Sequence, residues 1–187
     1  MIKKILILVI LLAIGWFAYN YFSGEKAVES KEQIEMSTEI TSIKEIAEWE
    51  FLTVEVEELE DTVIPRLIIT DDQFVRIYKG TARLGVDMKE ADSNWVACSG
   101  DTATLLLPQI KILDENIIDD MQTRTFYESG KMTPAIKEAL YEKAKRDMRK
   151  RALSDENVAA AKENAKAQFS YMFHSMGYGS VSVSFVK

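Results

Sequence analysis

General acid or base work near neutral pH favours a group that titrates there, and the chain offers a single histidine, His174, between Phe173 and Ser175. Nucleophilic catalysis would also need an activated hydroxyl or thiol, and no G-x-S-x-G run presents one. His174 also falls near the end of a predicted helix, where an imidazole is favoured by the negative end of the helix dipole. Adjacent carboxylates stand at Glu60-Asp61, Asp71-Asp72 and Asp119-Asp120. Two carboxylates facing each other across a cleft could hydrolyse a glycosidic bond or hold a divalent cation. The same pairs are ordinary turn residues, and residues 114–120, DENIIDD, lack the glycine and spaced ligands of a calcium loop. Cys98, in NWVACS, reads as a small buried thiol. With one cysteine and one histidine the chain can make neither an internal disulfide nor a four-ligand zinc site from those residues. Gly177-Tyr178-Gly179 lacks the third glycine of a nucleotide loop and follows a helix rather than a strand. No cofactor is implied.

The most concentrated positive charge is Lys143, Lys145, Arg146, Arg149, Lys150 and Arg151. On a helix these positions spread around the circumference outside the Ala144 and Met148 stripe, which is also how a solvated face looks. The functional reading is docking onto an anionic surface: lipid, an envelope polymer, an acidic partner protein, or the chain's own acidic residues 45–61. Salt would weaken any of these.

The elements that must position such residues begin with an apolar run. Ile5 to Phe22, ILILVILLAIGWFAYNYF, contains no charge, and as a helix it would rise about 27 Å, close to the hydrocarbon thickness of a bilayer. Lys3 and Lys4 precede it, and Trp16, Tyr19 and Tyr21 cluster at its far end, where amphipathic rings prefer the interface. A cleaved signal peptide competes, since Ala13-Ile14-Gly15 offers small residues after a short apolar stretch, but the apolar character continues through Trp16, Phe17 and Phe22. The expectation is a cytoplasmic tail at 1–4, a signal-anchor at 5–22 crossing the cell membrane once, and the remainder outside the cytoplasm.

Charge is uneven beyond that point. Residues 23–61 hold 13 acidic and 3 basic side chains, whereas residues 62–187 hold 17 and 18, so the overall charge of −7 is local to one stretch. That balance argues against nucleic acid as a partner, because phosphate contacts need an excess of Lys and Arg. Residues 23–38 read as an acidic spacer between bilayer and domain.

Residues 39–187 are expected to form one α+β domain. Ile40, Ile43, Ile46 and Ala47 predict a short helix over 39–48. Strands are predicted over 51–59, 66–70, 74–84, 95–98, 102–107 and 111–113, with turns at Asp71-Asp72, Gly80, Gly85, Ser99-Gly100-Asp101 and Pro108. Short strands at even spacing predict a mostly antiparallel or mixed sheet. Thr133-Pro134 opens a first long helix, on which Ile136, Leu140, Ala144, Met148 and Ala152 recur every four residues. Ser154 opens a second, whose stripe runs Val158, Ala161, Ala165, Phe169, Met172, Phe173 and Met176 before Gly177 stops it. Val181, Val183 and Phe185 alternate with serines in a closing C-terminal strand.

This order of elements, with Ile77 to Met88 (IYKGTARLGVDM), Thr104 to Ile110 (TLLLPQI) and an Ala-rich helix pair ending at Met176-Gly177, resembles the bacterial family catalogued as domain of unknown function 4230. The resemblance covers about residues 40–186 and rests most on Gly80, Gly85-Val86-Asp87 and Leu107-Pro108. It implies a membrane-tethered bacterial domain and supplies no activity. Two classes therefore stand. One is a non-enzymatic binding or scaffolding module of the cell envelope, monomeric or self-associating through its apolar stripes. The other is an envelope hydrolase working through a carboxylate pair or His174. The first is favoured because no acid, base and nucleophile set can be assembled.

Overall fold

The computed structural model describes residues 43–66 and 70–186. The expected membrane anchor and acidic spacer lie outside them. Among the described residues no helix is long and apolar enough to cross a membrane.

The architecture is α+β. The backbone of one sheet is a long antiparallel hairpin, β1 (Glu48–Ile64) against β2 (Asp72–Asp87), in register from Glu48 opposite Asp87 to Ile64 opposite Asp72. On its other edge β2 carries β5 (Lys111–Ile112) and β6 (Arg124–Ser129), both antiparallel. The second sheet sets β3 (Val96–Ser99) antiparallel to β4 (Thr102–Leu107), and β4 parallel to β7 (Ser180–Phe185). The helices are α1 (Pro134–Ala152) and α2 (Asp155–Ser175).

Helix ends fall where the caps require. Thr133 Oγ1 accepts the Ile136 N–H at 3.4 Å with Pro134 in the first turn, and Ser154 Oγ accepts the Asn157 N–H at 3.4 Å. Asn157 Nδ2 reaches back 3.1 Å to the Ala152 carbonyl, so one side chain starts α2 and closes α1. Gly177, at a φ of 102°, ends α2 in a conformation that an L side chain resists. The buried faces are the predicted stripes, Leu140, Ala144, Met148 and Ala152 on α1 and Ala161, Ala165, Phe169 and Phe173 on α2, with Val158, Met172 and Met176 at the margin.

Two buried aromatic rings of α2 join both sheets. Phe169 lies 5.3 Å from Trp49 and 6.0 Å from Phe51 of β1, and 6.3 Å from Trp95, which enters β3. Phe173 lies 6.4 Å from Trp95 and 5.8 Å from Tyr178, ahead of β7. β1 bulges at Phe51 to bring that ring inward, and Asn164 Nδ2 donates to the Phe51 carbonyl at 2.9 Å.

Several expectations are corrected. The strands divide into two sheets rather than one. Only 43–45 of the short helix expected over 39–48 are described as helical, and Glu48 already begins β1. Arg66 and Thr70 are not strand residues, and 67–69 lie outside the described residues. β1 and β2 both run well past 51–59 and 74–84, because the partner strand supplies hydrogen bonds that a single-strand pattern does not reveal. β6 was not foreseen, since its side chains face solvent and leave no apolar alternation to read.

Gly80 and Gly85 are not turns but mid-strand positions where another backbone approaches too closely for a Cβ: the Ile117 carbonyl at Gly80 and the Trp49 carbonyl at Gly85. The Thr81 N–H donates to that Ile117 carbonyl at 3.0 Å, and Asp119 N–H to the Lys79 carbonyl at 2.8 Å, so Gly80 is where the chain crosses back onto β2.

Candidate anion-binding face of the first long helix

α1 lies across the inward face of the hairpin, and that face changes character along its length. Near the start of β1 it is apolar, with Leu52 paired to Leu84 and Val54 to Ala82. Farther along it presents Glu58 opposite Tyr78 and Glu60 opposite Arg76. Glu60 is buried to 2% exposure, and a buried carboxylate needs a cation. Lys143 supplies it, its Nζ 2.6 Å from Glu60 Oε2 and 3.2 Å from Asp147 Oδ2. Glu60 first and Asp147 second hold the Lys143 ammonium above its ordinary value. Arg151 Nη2 makes a second ion-pair contact, 2.7 Å from Glu58 Oε2, without hydrogen-bond alignment. Arg149 Nη1 donates to the Asp114 carbonyl at 3.0 Å and toward the Glu115 carbonyl at 3.4 Å.

The six-residue basic run therefore splits in two. Lys143, Arg149 and Arg151 hold α1 onto β1 and the 114–115 loop, which realises within the molecule the docking onto residues 45–61 considered from the sequence. Lys145, Arg146 and Lys150 have no ion-pair partner among the described residues, and Arg146 and Lys150 are exposed. Lys150 and Arg151 also border an open cleft of about 550 Å³ at the α1–α2 turn, shared with Glu58, Asp147, Leu153, Ser154 and Asp155. Basic side chains in the last turn of α1 also suit the negative end of its dipole.

Under α1 the floor is polar and incompletely paired. Glu60 Oε1, Arg76 Nε and the Tyr78 hydroxyl are buried without hydrogen-bond partners among the described residues. Burial pushes the Tyr78 phenol above its ordinary value, with Arg76 opposing and Glu60 adding to the rise. The Arg76 guanidinium carbon sits 5.3 Å from the Tyr78 ring centre, and Tyr141 of α1 meets the same ring edge-on at 6.0 Å.

The other candidates are placed apart and already engaged. His174 Nδ1 lies 2.7 Å from the Tyr178 carbonyl at the end of α2, and is exposed. Asp72 pairs with Arg66, and Asp71 accepts the Arg66 backbone N–H at 3.0 Å. Asp119 closes its own turn, accepting from Met121 N–H at 2.9 Å and Gln122 Nε2 at 2.7 Å; the Gln122 and Met121 hydrogen bonds hold its carboxyl below the ordinary value. Cys98 is buried in β3. Among the described residues no three of His, Cys, Asp and Glu gather as metal ligands.

What sequence reasoning missed is Asp114, the centre of a second polar cluster. Its carboxylate accepts from Arg83 Nε at 3.0 Å, Nη2 at 2.8 Å and the Arg83 backbone N–H at 3.0 Å. As the first residue of DENIIDD it reads only as part of a calcium-loop candidate, because its partner is thirty-one positions away.

No curated protein and no solved structure matches the chain. The sequence model of the family described as Protein of unknown function (DUF4230) matches residues 41–183, most of the chain, and the chain belongs to that family.

Proposed function

For this member of the DUF4230 family we propose a non-enzymatic role: a binding or scaffolding module of the bacterial cell envelope, held in the membrane by residues 5–22 with its α+β domain outside the cytoplasm. Lys145, Arg146 and Lys150 meet an anionic partner, either an acidic envelope protein or an anionic polymer. The observation that carries this reading is the division of α1: three cations are bound internally, and the three left over project from the same helix without partners among the described residues. The anchor rests on the uncharged run from Ile5 to Phe22, and the orientation on Lys3 and Lys4 hard against it. The hydrolase reading is weaker, because His174 and the carboxylates Asp72 and Asp119 are already committed to local contacts.

The test is capture by crosslinking of the full chain in native membranes, comparing wild type with Arg146→Glu/Lys150→Glu. Wild type should retain a partner at low salt and lose it at about 1 M salt, where the screening length is about 3 Å. The double variant should retain none at either. Unchanged capture by the variant would mean that this face is only solvated.

A further inference from the structure

The hairpin has a second face, turned away from the helices, and it too changes character along its length. Its first half is charged: Glu57 pairs with Lys79 at 2.7 Å, and Arg83 lies among Glu48, Glu50 and Asp114. Its second half is apolar and open. Leu59, 55% exposed, stands opposite Ile77, which is itself buried; half-buried Val75 stands opposite Tyr127, 49% exposed; Val63, 49% exposed, follows toward the tip. Phe126, 71% exposed, sits in the bulge of β6. A contiguous set of large apolar side chains on one sheet face marks an interaction surface rather than scattered exposure.

Two charges flank it. Asp61, on β1, is cross-strand from Val75, and Arg124, on β6, is cross-strand from Ile77. Both are exposed and without ion-pair partners among the described residues. Since β1 and β6 lie on opposite edges of β2, the apolar strip has an acid on one side and a base on the other.

We infer that this face takes a second copy of the same chain. A two-fold axis parallel to β2, between stacked sheets about 10 Å apart, lays the β1 side of one copy over the β6 side of the other. Val75 then meets its equivalent near the axis, Leu59 and Val63 of each copy lie over the β6 edge of the other, and Asp61 of each copy meets Arg124 of the other. The two charges are offset by two residues along β2, about 7 Å, which the long arginine side chain spans. The strands of the two sheets run in the same direction within about 30°. Both β1 starts therefore lie at the same end, the arrangement that two chains anchored in one bilayer would need. The helices pack on the opposite face, so the basic side of α1 stays free and the two proposals stand or fall separately.

The test is the mass of the full chain in detergent, followed by light scattering over a dilution series. Wild type should dimerise reversibly. Asp61→Arg alone, and Arg124→Asp alone, should each raise the dissociation constant by about tenfold or more, because each sets like charges against one another at two symmetric places. Asp61→Arg/Arg124→Asp should restore it to within about threefold of wild type. Leu59→Lys should leave a monomer. A wild-type monomer, a dimer that survives Leu59→Lys, or a double variant no tighter than the singles would each overturn the proposal.

Discussion

Asp114 shows how a single carboxylate can secure a loop to a strand. Burial alone would push its carboxyl up, but the hydrogen bonds and charge of Arg83, aided by Arg149, outweigh burial and hold it below its ordinary value of 3.8. The unfolded chain then binds more protons than the folded one in acid, so this stabilisation is present above the ordinary value and is lost as pH falls through the lower, folded one. Asp87 behaves alike: the Lys89 backbone N–H and the Lys111 ammonium, 3.2 Å away, lower it against the effect of burial. Asp114→Asn should therefore lower stability near neutral pH and make the further loss below about pH 4 shallower. Urea denaturation at several pH values checks this, and parallel curves for variant and wild type would contradict it. The residues that carried the family resemblance act in the same structural way. Gly80 and Gly85 admit neighbouring backbone, and Asp87 caps the 3₁₀ turn, Met88–Glu90, that follows β2.

α2 is the element on which the rest depends. Phe169 contacts aromatic rings from the hairpin and from the segment entering β3, so its removal opens space in the core that both sheets share. Phe169→Ala should cost about 3–5 kcal/mol. Trp49 and Trp95 flank the site, so unfolding followed by tryptophan fluorescence reads both the stability and the local repacking. A loss under about 1 kcal/mol would mean that the two sheets are held together elsewhere. Both long helices were legible because caps and a four-residue apolar repeat are local signals. The pairing of β7 alongside β4 was not legible, since a parallel partner seventy-eight residues earlier leaves no mark on either strand.

For the molecule as a whole, the proposed anchor gives the simplest prediction. The full chain should stay with membranes through an alkaline carbonate wash and leave them in detergent, whereas a chain lacking residues 1–22 should not sediment with them. Release of the full chain by carbonate would remove the anchor from the reading. What the sequence by itself determined were properties that depend on near neighbours: the apolar run, the local excess of acid, both helices with their buried stripes, the closing strand and the family. Only the tertiary structure decided which of six similar cations are bound internally and which have no partner among the described residues. Charge on a helix is read from spacing, but its partner is chosen by whatever strand lies beneath, and Glu58 and Glu60 reach α1 only because β1 turns that face toward it. The open apolar half of the hairpin was hidden for the same reason. Leu59, Val75 and Tyr127 come from three separate strands, and register alone makes them neighbours.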